Sequence, residues 1–365
     1  MKPLENLIVA GISYDPETNL KQLKQDDNFY SMNIWNSAEP SKPISISIPY
    51  RGGYTGGFND ILAHKDTLYL ADGEGILCFD PKDLSKSYVE LKGVNEVSDL
   101  LCKTSDYLIS CLHNIIQIRS IEEISGAVQE SETSSRFFDV PFKQFQYGNE
   151  GDTILSMPMF GPQGNEKVLL NNTSDESYIF DLTSNRFDPL KILTAQTFDS
   201  SFQRRHKYHF LPTDNLKYSI FTESTNDKLV PNRVYELSTR NSPELREVDP
   251  LVMENKKILS MLPTKENKLQ FLTNYKRKSF IEMLDPYSRE IVDSRPLSGR
   301  YELGDRLQEV GNQLLIVRHL RNEIVDAETE GSIKLEGAEN NVAIPEISSS
   351  WEYPQYLYLE SAKPT

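Results

Sequence analysis

Two short stretches of this chain carry the residue types best suited to chemistry. Residues 51–57, RGGYTGG, place four glycines around one tyrosine with an arginine in front. A glycine-rich loop cradles phosphate when its backbone amides converge between a strand and a helix, in one version with Gly-Lys-Ser/Thr. Here Phe58, Asn59, Asp60 and Ile61 lead into another strand pattern instead. The stretch therefore reads as a loop between two sheet units, with Arg51 and Tyr54 placed to contact a ligand or partner.

The second stretch, residues 203–210 (QRRHKYHF), is the strongest basic cluster in a chain of net charge −15. Arg204, Arg205 and Lys207 lie among aromatics, a composition that suits phosphate, nucleic acid or an acidic peptide. Taken structurally, the same residues form a solvated strand face that offsets neighbouring Asp and Glu. His206 and His209 are three apart, and on a strand that spacing assigns opposite faces, a poor geometry for sharing one metal. Residues 275–278, YKRK, form a smaller basic group expected at a solvated hairpin tip.

Other chemistry finds little support. No Gly-x-Ser-x-Gly elbow, His-Glu-x-x-His pair or calcium loop is present. His64, His113 and His319 each fall in or beside a strand pattern and read as structural. No catalytic residue, metal ligand or cofactor is assigned. Cys78, Cys102 and Cys111 sit in apolar strand patterns without Cys-x-x-Cys spacing, and the odd count points to buried thiols in a reducing compartment. A disulfide between Cys102 and Cys111 across one hairpin is the alternative for a secreted chain. The acidic balance argues against general nucleic-acid binding, which needs clustered Lys and Arg. No run is long enough for a membrane-spanning helix. The amino-terminal sequence MKPLENLIVAGISYD is too short in its apolar run for a signal peptide, so the expected location is cytoplasmic.

The elements that would position these residues are clearest between Asn59 and Gly93. Four short β patterns follow one another there: residues 61–64, 67–71, 76–79 and 87–91. Asp72-Gly73-Glu74-Gly75 supplies the positive-φ positions of a tight hairpin, and Asp80-Pro81-Lys82-Asp83 is a second turn. A sheet of about 35 residues cannot bury both faces alone, so it must stack on others like it; stacked radially, such sheets form a β-propeller.

Residues 68–81, LYLADGEGILCFDP, resemble the core of LVIVD-type propeller repeats, with an aromatic strand, Ala-Asp-Gly, a Gly-led apolar strand and Asp. Residues 33–43, NIWNSAEPSKP, resemble the same repeat's strand and Pro-rich turn, and Ile34-Trp35 is similar to the third strand of WD-repeat blades. The close match covers residues 29–93. The resemblance implies a propeller and leaves the activity open, because propellers host binders and enzymes alike. In a lactonase-like propeller, Asp72 and Glu74 would join other carboxylates around a divalent ion. The matching turn at Leu112, His113 and Asn114 offers no carboxylate, which weakens that alternative of a metal-dependent hydrolase.

The fold expected is all-β, a single seven-bladed β-propeller closed by N- and C-terminal strands. Its blades are assigned to 7–50, 58–93, 97–142, 145–193, 202–249, 256–297 and 301–336, with 338–365 as the closing tail. The first blade shows three strands, so residues 356–359, YLYL, are expected to supply the fourth. Within 145–193, residues 167–170 read as an extra segment and 190–193 as the last strand. Asp285-Pro286 repeats the place of Asp80-Pro81. The competing architecture is a two-domain sandwich divided near Glu130. The expected function is non-catalytic: protein or peptide binding, or scaffolding, through Arg51, Tyr54, Arg204, Arg205 and Lys207.

Overall fold

The computed structural model describes residues 7–14, 29–36, 41, 44–49, 60–64, 67–71, 76–79, 89–90, 100–104, 106–112, 115–120, 135–141, 154–172, 176–193, 206–214, 216–224, 234–240, 242–248, 256–264, 266–302, 305–310, 313–318, 321, 323–334 and 356–360. Every element among them is a β-strand. The chain separates into two compact units, Met1–Ser98 with Gly304–Thr365, and Asp99–Leu303.

Among the described residues the first unit holds three four-stranded antiparallel sheets. Sheet A runs Ile44–Pro49, Phe29–Asn36, Leu7–Tyr14 and Tyr356–Glu360 in spatial order. Its last pairing joins distant parts of the sequence, from Leu7 opposite Glu360 to Gly11 opposite Tyr356. The strand expected at residues 356–359 is thus the partner of Leu7–Tyr14. Sheet B contains Asp60–His64, Thr67–Ala71, Ile76–Phe79 and Val89–Glu90. Sheet G contains Arg306–Val310, Gln313–Arg318, Glu323–Asp326 and Ser332–Lys334. Tyr356–Glu360 lies beside both Asp60–His64 and Arg306–Val310.

The second unit holds sheets C to F. Sheet C is built from Leu100–Lys103, Tyr107–Leu112, Ile115–Ser120 and Ser135–Asp139, each antiparallel to the next. Sheet D pairs Ile154–Ser156 and Met159–Phe160 with Lys167–Asn172, followed by Ser177–Asp181 and Arg186–Pro189. Sheet E contains His206–Asp214, Lys217–Ser224, Val234–Ser238 and Glu244–Val248, and sheet F contains Lys257–Pro263, Leu269–Tyr275, Lys278–Asp285 and Glu290–Leu297.

Successive side chains of a strand point to opposite faces, and in this unit both faces are used. Val168, Leu170 and Phe180 of sheet D pack with Ile109, Cys111, Ile116 and Ile118 of sheet C. Leu169 and Ile179, one residue out of step, pack with Ile220, Leu237 and Leu245 of sheet E. Phe221 and Val234 of sheet E turn in the other direction, onto Leu269, Phe271 and Leu284 of sheet F. Rings fill the layers, with Phe160 stacked on Phe210 at 4.7 Å and Phe187 against Phe180 at 4.6 Å. Each large apolar side chain so buried contributes about 1.5–3 kcal/mol. The stacking that small sheets require is therefore present along the series C, D, E, F.

Two strand assignments within residues 145–193 are corrected. Lys167–Asn172 is the central strand of sheet D, not an extra segment. Its apolar run lacks a period of two because both of its faces are buried. Arg186–Pro189 is the last strand of that sheet, while Lys191–Ile192 crosses over and pairs in parallel with Glu244 and Leu245 of sheet E. The cysteines are thiols; Cys102 and Cys78 are half-buried and Cys111 is buried. Cys102 faces Ile109 and Cys111 faces Leu100 in the ladder, so they are not cross-strand partners.

One turn recurs between the last two strands of sheets D, F and G. Asp181 accepts hydrogen bonds from the amides of Thr183 and Ser184, Asp285 from Tyr287, and Asp326 from Glu328 and Thr329. Four positions after each Asp the backbone is left-handed, at Asn185, Arg289 and Glu330. An Asp at the head of the loop bonds the turn from its own side chain and so specifies it locally.

Asp181 also bonds Lys167 on the neighbouring strand. Burial alone would raise its pKa, but the Lys167 ammonium and the Ser184 amide outweigh burial and hold the carboxyl below the ordinary value of 3.8. A depressed folded pKa contributes stability above the unfolded pKa and loses it as pH falls through the folded one. Asp181→Asn is therefore expected to cost about 1 kcal/mol at pH 7. The gap from the parent should close as pH drops below the unfolded carboxylate range, as thermal melts across pH would show.

Candidate functional site

The candidate site is the hairpin between the second and third strands of sheet F. Tyr275 and Lys278 are paired in the ladder, so only Lys276 and Arg277 form the loop. Their φ angles are 46° and 71°. Two positive values in a two-residue loop define the primed turn whose twist suits a hairpin, and which favours Asn-Gly. Here two long cationic residues occupy those positions, and both are exposed, as is Lys278. The Lys276 ammonium stands 4.9 Å from the centre of the Tyr275 ring, within cation–π range.

The base of this hairpin is fixed by a closed set of hydrogen bonds. Ser279 Oγ donates to Asn274 Oδ1 at 2.6 Å, Asn274 Nδ2 donates to the Tyr301 carbonyl at 2.8 Å, and the Tyr301 amide donates to Ser279 Oγ at 2.9 Å. Tyr301 is buried. Gly299 lets it lie close, because a Cβ there would approach the Tyr301 ring at 3.3 Å. Farther along the same sheet, Glu282 is fully buried and accepts from Thr273 Oγ1 at 2.8 Å, Ser294 Oγ at 3.0 Å and Lys256. A buried carboxylate so supplied with donors acts as a brace. Lys257, opposite Asn274 in the ladder, begins its strand at this same end of sheet F.

Similar polar pairs close other sheets at the corresponding place. Asn171 accepts from Ser177 at 2.6 Å in sheet D, and Arg318 donates to Glu323 at 2.9 Å in sheet G. The sequence carries a signal for these: a polar residue ending one apolar strand and another opening the next. Sequence reading alone did not single them out.

Most residues singled out in the sequence are not brought together here. Arg51, Tyr54, Arg204 and Arg205 lie outside the described residues, as do Asp72, Glu74, His113 and His319. Lys207 is the second residue of His206–Asp214, opposite Glu223 in the ladder. On that strand His206 is opposite Ser224 and His209 opposite Phe221. His64 ends Asp60–His64, opposite Thr67. Among the described residues no three His, Cys, Asp or Glu side chains are grouped to hold a metal. No helix among them is long and apolar enough to cross a membrane.

No protein-family model matches the sequence, and no curated protein does either. Among solved structures, a functionally unknown protein from Desulfotomaculum acetoxidans DSM 771 is similar over 91% of this chain and 96% of its own, at 13% identity and a TM-score of 0.51. Apo AztD from Citrobacter koseri matches over 97% and 98% at 10% identity and a TM-score of 0.45. A catalytically inactive virginiamycin B lyase from Staphylococcus aureus, solved with quinupristin, matches over 77% and 85% at 11% identity and 0.47. The first likeness concerns the fold alone, and at their TM-scores the other two do not bear on it.

Proposed function

We propose that residues 1–365 form one seven-bladed β-propeller, closed where Leu7–Tyr14 pairs with Tyr356–Glu360, and that it works as a non-catalytic scaffold for a protein or peptide partner. The blade boundaries proposed are those read from the sequence, 7–50 through 301–336. Support for the architecture comes from the face-to-face packing of sheets C to F and from blade-like four-stranded sheets in the first unit. Support for the binding role comes from one observation: sheet F exposes consecutive cations on a turn whose base is fixed by hydrogen bonds. Rigid display of a loop lowers the ordering cost of binding. The glycine loop with Arg51 and Tyr54, and the basic loop with Arg204, Arg205 and Lys207, belong to the same reading as charge-complementary and aromatic contacts. A reducing, cytoplasmic setting belongs to it as well.

The test is affinity capture with the full chain as bait. Two variants accompany the parent, Arg204→Ala/Arg205→Ala/Lys207→Ala and Arg51→Ala/Tyr54→Ala. The parent is expected to retain a partner at fixed stoichiometry, and each variant to lose most of it. Unchanged recovery by both variants would clear the two loops of the role.

A further inference from the structure

We propose that the hairpin tip at residues 275–278 is a docking point for a short anionic segment of a partner protein, rich in carboxylates or phosphorylated. It rests on the binding reading above, which this same hairpin supports, but its test changes residues other than the two loops, so the two tests can fail separately.

The backbone supplies the first observation. Positive φ at a non-glycine residue is unfavourable, and strain of this kind persists at positions with a use. Elsewhere in the described chain the use is structural. Asn185, Arg289 and Glu330 complete the Asp-headed turns, Asn267 lies in the turn closed by the hydrogen bond from the Thr264 amide to the Lys268 carbonyl, and the Arg289 side chain also reaches Glu236 of sheet E at 3.4 Å. Lys276 and Arg277 are consecutive, and neither they nor Lys278 makes a side-chain ion pair or hydrogen bond with the described residues. The turn closes the hairpin, but Asn-Gly would close it with less strain; what Lys276 and Arg277 add instead is one cation–π contact with Tyr275 and two cations projecting from the tip.

Chemistry supplies the second. The guanidinium of Arg277 is a planar fork that matches a carboxylate or a phosphate through two parallel hydrogen bonds. Lys276 and Lys278 flank it, and the partly exposed Tyr275 ring adds an apolar face. The hydrogen-bonded base at Asn274, Ser279 and Tyr301 holds these groups in place.

Net charge narrows the class of partner. The whole chain carries −15, and screening extends over about 8 Å at physiological salt. A long polyanion, whether nucleic acid or an anionic membrane, would extend past the tip into that acidic field. A short peptide segment needs only the cations at the tip.

The decisive variant is Lys276→Asn/Arg277→Gly, because Asn-Gly is the natural occupant of this turn. It removes the charges while relieving the backbone, so the melting temperature should rise by roughly 2–4 °C. Fluorescence anisotropy would follow a Glu-rich peptide, a phosphoserine peptide and a neutral Gln/Ser peptide. The parent is expected to bind one or both anionic peptides and not the neutral one, with affinity falling as salt is raised. The variant should bind at least about tenfold more weakly, the effect of losing charge-assisted hydrogen bonds. Asn185→Gly, which relaxes one positive φ without changing charge, should bind as the parent does. Whichever anionic peptide binds identifies the source of the charge. Equal binding by the parent and the Asn-Gly variant overturns the proposal. So does no binding of either anionic peptide, or tighter binding of an oligonucleotide or of phosphatidylserine vesicles.

Discussion

A chain ending at residue 355 is expected to lose its cooperative melting transition and to elute as soluble aggregate. Tyr356–Glu360 is short, but it completes sheet A through five register pairs with Leu7–Tyr14. It also lies beside a strand of sheet B and one of sheet G. Without it, Leu7–Tyr14 becomes an edge strand of eight residues with the unpaired amides and carbonyls that recruit other chains. At about 1 kcal/mol for each ladder hydrogen bond, before any packing is counted, the loss is on the order of 5 kcal/mol. That is comparable to the whole stability of many domains. A peptide of residues 351–365 supplied in trans should restore the monomer, because the missing interaction is an edge and not a core. Unchanged melting and elution of the truncated chain would show that the pairing contributes nothing to stability.

This pairing was legible in the sequence because a deficit and a surplus matched. The first three strand patterns left one sheet short, and an alternating YLYL near the far end was the candidate to complete it. The strict alternation of Ile44–Pro49 and the Asp-headed turn at Asp285 were equally plain, since each is specified by residues that touch in sequence. Sheet D was less so. The apolar run at Lys167–Asn172 faces sheet C with Val168 and Leu170 and sheet E with Leu169. A strand buried on both faces has no polar side to reveal its period. The crossing of Lys191–Ile192 into sheet E rests on two residues and on hydrogen bonds to Pro243 and Leu245. Nothing local in the sequence encodes it.

The candidate site divides in the same way. Residues 275–278 were recognisable as a basic hairpin tip, yet Lys-Arg carries none of the Asn-Gly signature that announces two positive φ values. The brace under it escapes for a different reason: Ser279 and Asn274 are five positions apart in sequence, while Tyr301 arrives from beyond the following strand. Glu282, in the apolar run SFIEML, is a visible anomaly, but its partner Lys256 lies far away in sequence. A charge inside an apolar strand signals that a partner exists without saying where it is.

Arg318→Met should destabilise the first unit by about 3–5 kcal/mol, the cost of breaking a buried ion pair by removing one side of it. The guanidinium sits among two carboxylates, donating from Nη1 to Glu323 at 2.9 Å and placing Nε 3.6 Å from Asp305. Its side chain is 8% exposed, Asp305 4% and Glu323 22%, and these figures decide which carboxylate matters. Glu323 can turn to water once the cation is gone; Asp305, far less exposed, cannot, and loses the cation beside its carboxylate while keeping its other contacts. Adding Asp305→Asn to Arg318→Met should therefore recover more than half of the loss, whereas adding Glu323→Gln should recover little. Arg318→Lys should fall between parent and Arg318→Met, since it restores charge without the fork that spans both acids. Urea denaturation of the set, arranged as double-mutant cycles, separates the pairs. If Asp305→Asn fails to rescue, the cost of Arg318→Met lies in lost packing of the arginine stem and not in the charge at Asp305.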